Sequence, residues 1–188
     1  LKTAGPLLAL ILLVILGYSL NPAFLNEGNI TNILTRSAFI GIIAVGATFV
    51  ITAGGIDLSV GSMAAFIAGV MIIIMNSAVD AMGASIWTVL LGVGSSLILG
   101  IGAGFINGFL TTKGKIEAFI VTLGTMGIYR SLVTYFADGG TLSLNNSARE
   151  IYRPVYYDSF LRIPYPVWVF IAVAIIGWVL MNRTAFGR

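Results

Sequence analysis

The sequence contains no cysteine and no histidine. Disulfides, thiolate or imidazole metal sites and a histidine-based catalytic triad are therefore excluded from it. Charge is also scarce: Asp, Glu, Lys and Arg make up 9% of the 188 residues, against roughly 25% in ordinary soluble domains. So few charges cannot cover a water-soluble globule. With 58% hydrophobic residues and a mean hydropathy of +1.01, the solvent is expected to be lipid, where backbone polar groups must be satisfied within helices or closed barrels. The uncharged runs are too long for barrel strands.

Two further absences concern partners and energy. The net charge of +3 comes from ten Lys and Arg scattered at the ends of apolar runs, not gathered into the basic face that nucleic acid needs. A phosphate-binding loop is missing as well. The stretch 108–115 resembles one, but five residues separate Gly108 from Gly114, and Ile116 stands where Ser or Thr would be required. The chain is thus expected not to be an enzyme and to bind no cofactor of its own, so any energy coupling would come from a partner or from an ion gradient.

What remains is a series of apolar runs, read as an all-α polytopic helix bundle of about six spans. The first covers residues 6–20 and stops at Asn21-Pro22. A cleaved signal peptide is the competing reading, set aside because further spans follow and no small-x-small site appears. Between Arg36 and Asp80 the only charge is Asp57, so the stretch is long enough for two spans of about 20 residues. The Gly54-Gly55-Ile56-Asp57-Leu58-Ser59 sequence divides them into 37–56 and 58–79, with Asp57 or Ser59 placed to cap the second helix. A fourth run, 84–112, ends at Lys113 and Lys115 and carries Gly92, Ser96, Gly100, Gly104 and Gly108 at every fourth position. That spacing predicts one smooth stripe for close helix packing. The fifth and sixth spans are 118–136 and 167–181. Between them, 137–166 is polar, holds Arg149, Glu150, Arg153, Asp158 and Arg162, and is expected as a loop in water.

Six spans beginning inside put the N-terminus, Lys2, Lys113, Lys115, Arg183 and Arg188 on the cytoplasmic side and the long loop outside. If 37–79 crossed once only, the lysine pair would face outward, against the positive-inside rule. No internal repeat or linker marks a second domain, so residues 1–188 read as one membrane domain.

Few residues within the spans carry chemistry. Asp57 has two readings: a helix cap at the cytoplasmic turn, or part of a gate built from a helix break. Arg130 lies 15 residues beyond Lys115, about 22 Å along a helix, in the outer half of a core roughly 30 Å thick. It either snorkels outward or lines the outer mouth of a pathway. Thr48, Thr52, Ser62, Asn107, Thr122 and Thr125 offer neutral hydrogen bonds suited to an uncharged, hydroxyl-rich solute, although such groups commonly bond within the helix bundle instead. Of these, Ser62, Asn107 and Thr122 are the favoured contacts, with Asn107 foremost.

The string 41–62, which ends Gly54-Gly55-Ile56-Asp57-Leu58-Ser59-Val60-Gly61-Ser62, and the string 116–130 closely resemble bacterial ribose, xylose and galactose-type ABC permeases. Ile106-Asn107-Gly108 and the 182–188 terminus extend the resemblance over nearly the whole chain. It implies a transmembrane permease domain, the N-terminal portion of a longer permease, in the bacterial inner membrane. It also implies a second permease subunit, cytoplasmic ATP-binding subunits and a periplasmic sugar-binding protein as partners, with lipid around them and no nucleic acid. Monosaccharide import is the function this resemblance implies. From other classes, an ion-coupled secondary transporter of a small polar solute and a purely structural membrane subunit remain as alternatives.

Overall fold

The computed structural model describes residues 4–187; Lys2 and Arg188, both used for orientation above, lie outside the described residues. The architecture is helical apart from one short hairpin. In chain order come α1 (Ala4–Leu20), a 3-10 turn (Pro22–Leu25), α2 (Glu27–Thr52), α3 (Val60–Met82), α4 (Ile86–Thr112), α5 (Ala118–Phe136) and α6 (Asn146–Tyr157). Strands β1 (Ser159–Phe160) and β2 (Ile163–Pro164), then α7 (Tyr165–Arg183) and a last 3-10 turn (Ala185–Gly187), complete it.

Among the described residues, α2, α3, α4, α5 and α7 are long and apolar enough to cross a membrane. With its 17 residues, α1 reaches about 26 Å and stands at the short end of the spanning range. The chain is a multi-pass membrane protein in which the expectation of about six spans corresponds to these five helices and the shorter α1.

Several helix ends lie two to four residues from the sequence reading, as at Thr52, where 56 was expected, and two differences are larger. The second helix begins at Glu27, ten residues before the predicted 37. Its first turns are polar, yet Thr31 Oγ1 donates to the Glu27 carbonyl at 2.8 Å and Thr35 Oγ1 to the Thr31 carbonyl at 2.8 Å. Hydroxyls satisfied by their own helix let it run on beyond its apolar part. The second difference is that 137–166 is folded, containing α6 and the hairpin. Asn145 caps α6 by accepting from the Ala148 N–H at 2.7 Å, and Pro154 lies inside the helix, where it has no N–H to give the Glu150 carbonyl.

The chain divides into two compact units, 1–42 with 159–188, and 43–158. In the first, the Phe170 ring lies directly against Gly41, bringing α7 close to α2. Leu161 and Arg162 both have positive φ, 53° and 62°, the backbone required by a two-residue hairpin turn. The resulting β1–β2 pair places the Phe160 carbonyl 3.2 Å from the Trp168 Nε1–H that donates to it.

In the second unit α3 packs on both α4 and α5. Leu58 meets Thr122, Phe66 stacks on Tyr129 with ring centres 5.5 Å apart, and Val133 lies against Gly69. These three contacts advance together along the chain, so α3 and α5 run parallel and in step, with α4 antiparallel to both. At the far end from Leu58, Met75, Val89 and Ala148 form a buried apolar cluster flanked by Met71, Val79, Val93, Ile151 and Tyr152. This cluster seats α6 on α3 and α4. Asn76 reinforces the seat, its Nδ2–H donating to the Ser143 carbonyl at 3.0 Å and its Oδ1 accepting from the Asn145 N–H at 2.9 Å.

The small-residue stripe of α4 holds for only part of its length. Gly92 is buried, and a Cβ there would stand 2.5 Å from Met75 Cγ. Gly104 and Gly108 are exposed, with nothing within 4 Å of such a Cβ. A spacing of four overshoots the 3.6-residue turn by about 40° per step. The face against α3 therefore passes from Gly92 to Ala103 and Asn107, both buried, while the stripe rotates away.

Candidate functional site: the break between α2 and α3

The polar residues that sequence reasoning singled out gather where α2 gives way to α3. Gly54 has φ +82°, a value that side-chain-bearing residues disfavour, and the Gly55 N–H donates back to the Val50 carbonyl at 2.9 Å. The chain then crosses Ile56 to Ser59 before α3 begins. Asp57 Oδ1 accepts from the Ser59 N–H at 2.7 Å and from Ser59 Oγ–H at 2.6 Å, so one carboxylate oxygen organises the turn. Asp57 thus holds the N-cap residue Ser59 and makes no bond to the first-turn N–H groups of α3, and the Ser59 side chain makes no cap hydrogen bond either.

Neighbouring helices hold this turn from two sides. From α4, Asn107 Nδ2 donates to Ser59 Oγ at 3.0 Å. From α5, Thr122 Oγ1 accepts from the Leu58 N–H at 3.1 Å and donates its own proton to the Ala118 carbonyl at 2.8 Å. Ser59 is completely buried, Thr122 is 3% exposed and Asn107 6%. Each donor and acceptor has a defined direction: Asn107 amide to Ser59 hydroxyl, Ser59 hydroxyl to Asp57 carboxylate. The Asn107 Oδ1 is buried without a partner, at a cost of about 1–3 kcal/mol. A leucine at this position would carry no such cost.

Of the five predicted residues, the fold therefore unites Asp57, Asn107 and Thr122 around Ser59 and Leu58. Ser62 stands one turn higher, half-buried, with its hydroxyl donating to the Ser59 carbonyl at 2.9 Å. Arg130 is apart from this group, exposed on α5 eight residues beyond Thr122, about 12 Å along the helix. Thr48 and Thr52 spend their hydroxyls on carbonyls of α2, and Thr125 on the Thr122 carbonyl. The residue missed as a hub is Ser59. Its position within the Gly-Gly-Ile-Asp-Leu-Ser string marked it as a capping residue, but no local signal shows that Asn107, 48 positions away, bonds to it.

A second polar group, not predicted as a unit, surrounds Arg130. Ser131, Thr134, Tyr135, Asp138 and Gly139 join it around an open depression at the far end of α5. Arg130, Thr134 and Asp138 recur at every fourth residue, a pattern legible in the sequence.

Residues 29–188 match a family model described as a branched-chain amino acid transport system / permease component. The chain is 40% identical over 186 residues to the ribose import permease protein of Bacillus subtilis strain 168, covering 98% of this chain and 54% of that protein. It is 32% identical over 183 residues to the ribose import permease protein of Escherichia coli K12, covering 97% and 54%. With the autoinducer 2 import system permease protein of Salmonella paratyphi B, it shares 31% identity over 188 residues, covering 100% and 51%. The chain thus spans about half the length of the curated relatives it matches. No solved structure matches it. With its membrane-spanning helices joined through the Gly54–Ser59 break, the chain belongs to the family of transport-system permease components.

Proposed function

We propose that this chain forms part of a permease subunit of a binding-protein-dependent ABC importer, passing a monosaccharide across the bacterial inner membrane. The observation that carries the reading is the match to a ribose import permease along 98% of the chain. A second permease subunit, identical or not, completes the pathway. Cytoplasmic subunits bind ATP and Mg and hydrolyse the nucleotide, and a periplasmic sugar-binding protein delivers the solute. The family description names branched-chain amino acids, whereas the relatives are named for ribose and autoinducer 2. The relatives named for ribose favour an uncharged polyol over an amino acid.

In this reading 1–188 act as one permease domain, with the Lys113–Lys115 turn and the N-terminus cytoplasmic. Asp57 shapes the break, and Ser62, Asn107 and Thr122 face the solute once the break opens, since in the present arrangement Asn107 and Thr122 are buried and bonded. Arg130 stands toward the outer mouth. Energy comes from the ATPase partner; an ion-coupled carrier is the alternative.

The test is ATPase activity in proteoliposomes holding the full-length permease and its ATP-binding subunits, with and without binding protein loaded with ribose and other sugars. Stimulation by one loaded protein is expected. No stimulation across the panel, together with uptake that follows a proton or sodium gradient, would establish the secondary carrier instead.

A further inference from the structure

The exposed face of α5 changes character halfway along. Its buried face consists of Val121, Thr122, Thr125 and Tyr129. On the opposite side the inner half presents Ile120, Leu123, Gly124 and Gly127, all exposed and without a charge or hydroxyl. The outer half of that same side presents Arg130, Ser131, Thr134 and Asp138, also exposed. At about 100° per residue these four lie within roughly a quarter turn of one another. They form a continuous polar strip above an apolar one.

Depth makes the strip significant. Because α5 keeps step with α3, its end at Phe136 is level with residue 72, whereas α3 continues to Met82. The shortfall is ten residues, or about 15 Å. With the Asp57 turn on the cytoplasmic side, as in the permease reading, Arg130 stands about 12 Å above it along α5, inside a hydrocarbon core roughly 30 Å thick. Charged groups at such depth cost about 3 kcal/mol each against lipid, and face water or protein instead. Among the described residues neither Arg130 nor Asp138 has an ionic partner. Only Thr134 of the strip is bonded within its helix, its hydroxyl donating to the Arg130 carbonyl at 2.9 Å and leaving its oxygen lone pairs available.

We propose that Arg130, Ser131, Thr134, Tyr135 and Asp138 form the wall of a water-filled outer vestibule with a subsite for a neutral polyhydroxyl solute. This rests on the permease reading above and extends it to four residues besides Arg130. The donor set narrows the ligand class. A guanidinium and a carboxylate on one strip cancel in charge, so a lone anion or cation gains from one and loses to the other, and between the two ligands that can use both, a zwitterion and a neutral polyol, the relatives named for ribose favour the polyol. A neutral polyol uses both, accepting from Arg130 and donating to Asp138, with the hydroxyls of Ser131 and Thr134 able to take either role. Tyr135, 78% exposed beside them, offers a flat ring for the C–H face of a sugar. Backbone geometry places the carboxylate there: Asp138 and Gly139 have positive φ, and the Gly139 N–H returns to the Thr134 carbonyl at 3.1 Å, ending the helix under Asp138.

The experiment uses the full-length permease assembled with its ATP-binding subunits in proteoliposomes, with single cysteines at Ser131→Cys, Thr134→Cys and, as control, Ile101→Cys. Ile101 is 72% exposed on the apolar side of α4 and, six residues above Asn107, lies at nearly the depth of Arg130. A membrane-impermeant maleimide added outside is expected to modify the two α5 sites at least 10-fold faster than the control. Modification at Thr134→Cys should then lower sugar uptake per ATP at least 5-fold. Equal labelling within 2-fold, or a modified Thr134→Cys protein that transports normally, overturns the vestibule. Stimulation of the unlabelled complex by ribose-loaded binding protein is scored separately: fast labelling without stimulation by any loaded protein sinks the importer reading alone, and stimulation without selective labelling sinks the vestibule alone.

Discussion

The two ends of the α3–α4–α5 unit are closed by different physics. At one end, Asp57, Ser59, Asn107 and Thr122 bind three helices through directional hydrogen bonds among buried polar groups. At the other, Met75, Val89 and Ala148 seat α6 by filling space. Directional bonds specify a single arrangement and penalise every other, because a buried unsatisfied group loses its full solvation. Apolar packing tolerates sliding and repacking at lower cost. The first end therefore suits a junction that must hold a geometry until it changes as a unit, and the second a seat for an amphipathic helix.

The largest expected effect breaks the polar end. Asp57→Ala removes the acceptor for both the N–H and the hydroxyl of the completely buried Ser59, and should cost about 3 kcal/mol, read as a fall in thermal stability of the purified protein. Asp57→Asn retains one acceptor oxygen and should recover about half. If Asp57→Ala unfolds like the unmodified chain, the carboxylate does not organise the break.

Packing comes next. Gly92→Val places a Cβ against Met75, which has no exposed surface to retreat into, and should cost about 2 kcal/mol. Gly104→Val, on the same helix but with open space around it, should stay within about 0.5 kcal/mol. Equal effects at the two glycines would mean that the stripe packs along its whole length after all.

A smaller, local effect is expected at α6. Asn76→Ala deletes both bonds that anchor 143–145, and should speed amide exchange in α6 by about tenfold, corresponding to roughly 1.4 kcal/mol of local opening, while α3 and α4 remain protected. Burial also pushes the Tyr152 phenol above its ordinary value near 10. The seated helix holds that proton more tightly than the released one, so α6 should loosen as pH rises above about 10. Tyr152→Phe should remove that dependence.

These contrasts also show what was legible in the sequence. The α2–α3 break was readable because its causes are local: paired glycines, then an acid two residues before a serine. The apolar helices were readable because lipid imposes length and composition on each one separately. Ser59 as a hub was not, since its bond to Asn107 spans 48 positions and depends on how α3 lies on α4. Helix α6 left a signal that its charges obscured: Ala148, Ile151, Tyr152 and Val155 follow helical spacing after the Asn145 cap. Arg130 was visible alone, whereas its strip required reading Thr134 and Asp138 at the same spacing. The glycine stripe looked continuous because a period of four differs from 3.6 by an amount that only accumulates over several turns.

A small stability effect at Asn107 is the one that separates structure from transport. Asn107→Leu removes the bond to Ser59, but it also removes the buried Oδ1 that has no partner, and Ser59 Oγ keeps its bond to Asp57. The lost bond and the relieved desolvation offset one another, so the net change should be within about 1 kcal/mol. If Asn107 only ties helices together, uptake by the full-length complex should change as little as its stability does. If the amide meets the solute when the break opens, uptake should fall at least fivefold while the melting temperature and the ATPase stimulation by loaded binding protein hold. Unchanged uptake in a stable Asn107→Leu protein would confine Asn107 to the junction and move the solute contacts to the α5 wall.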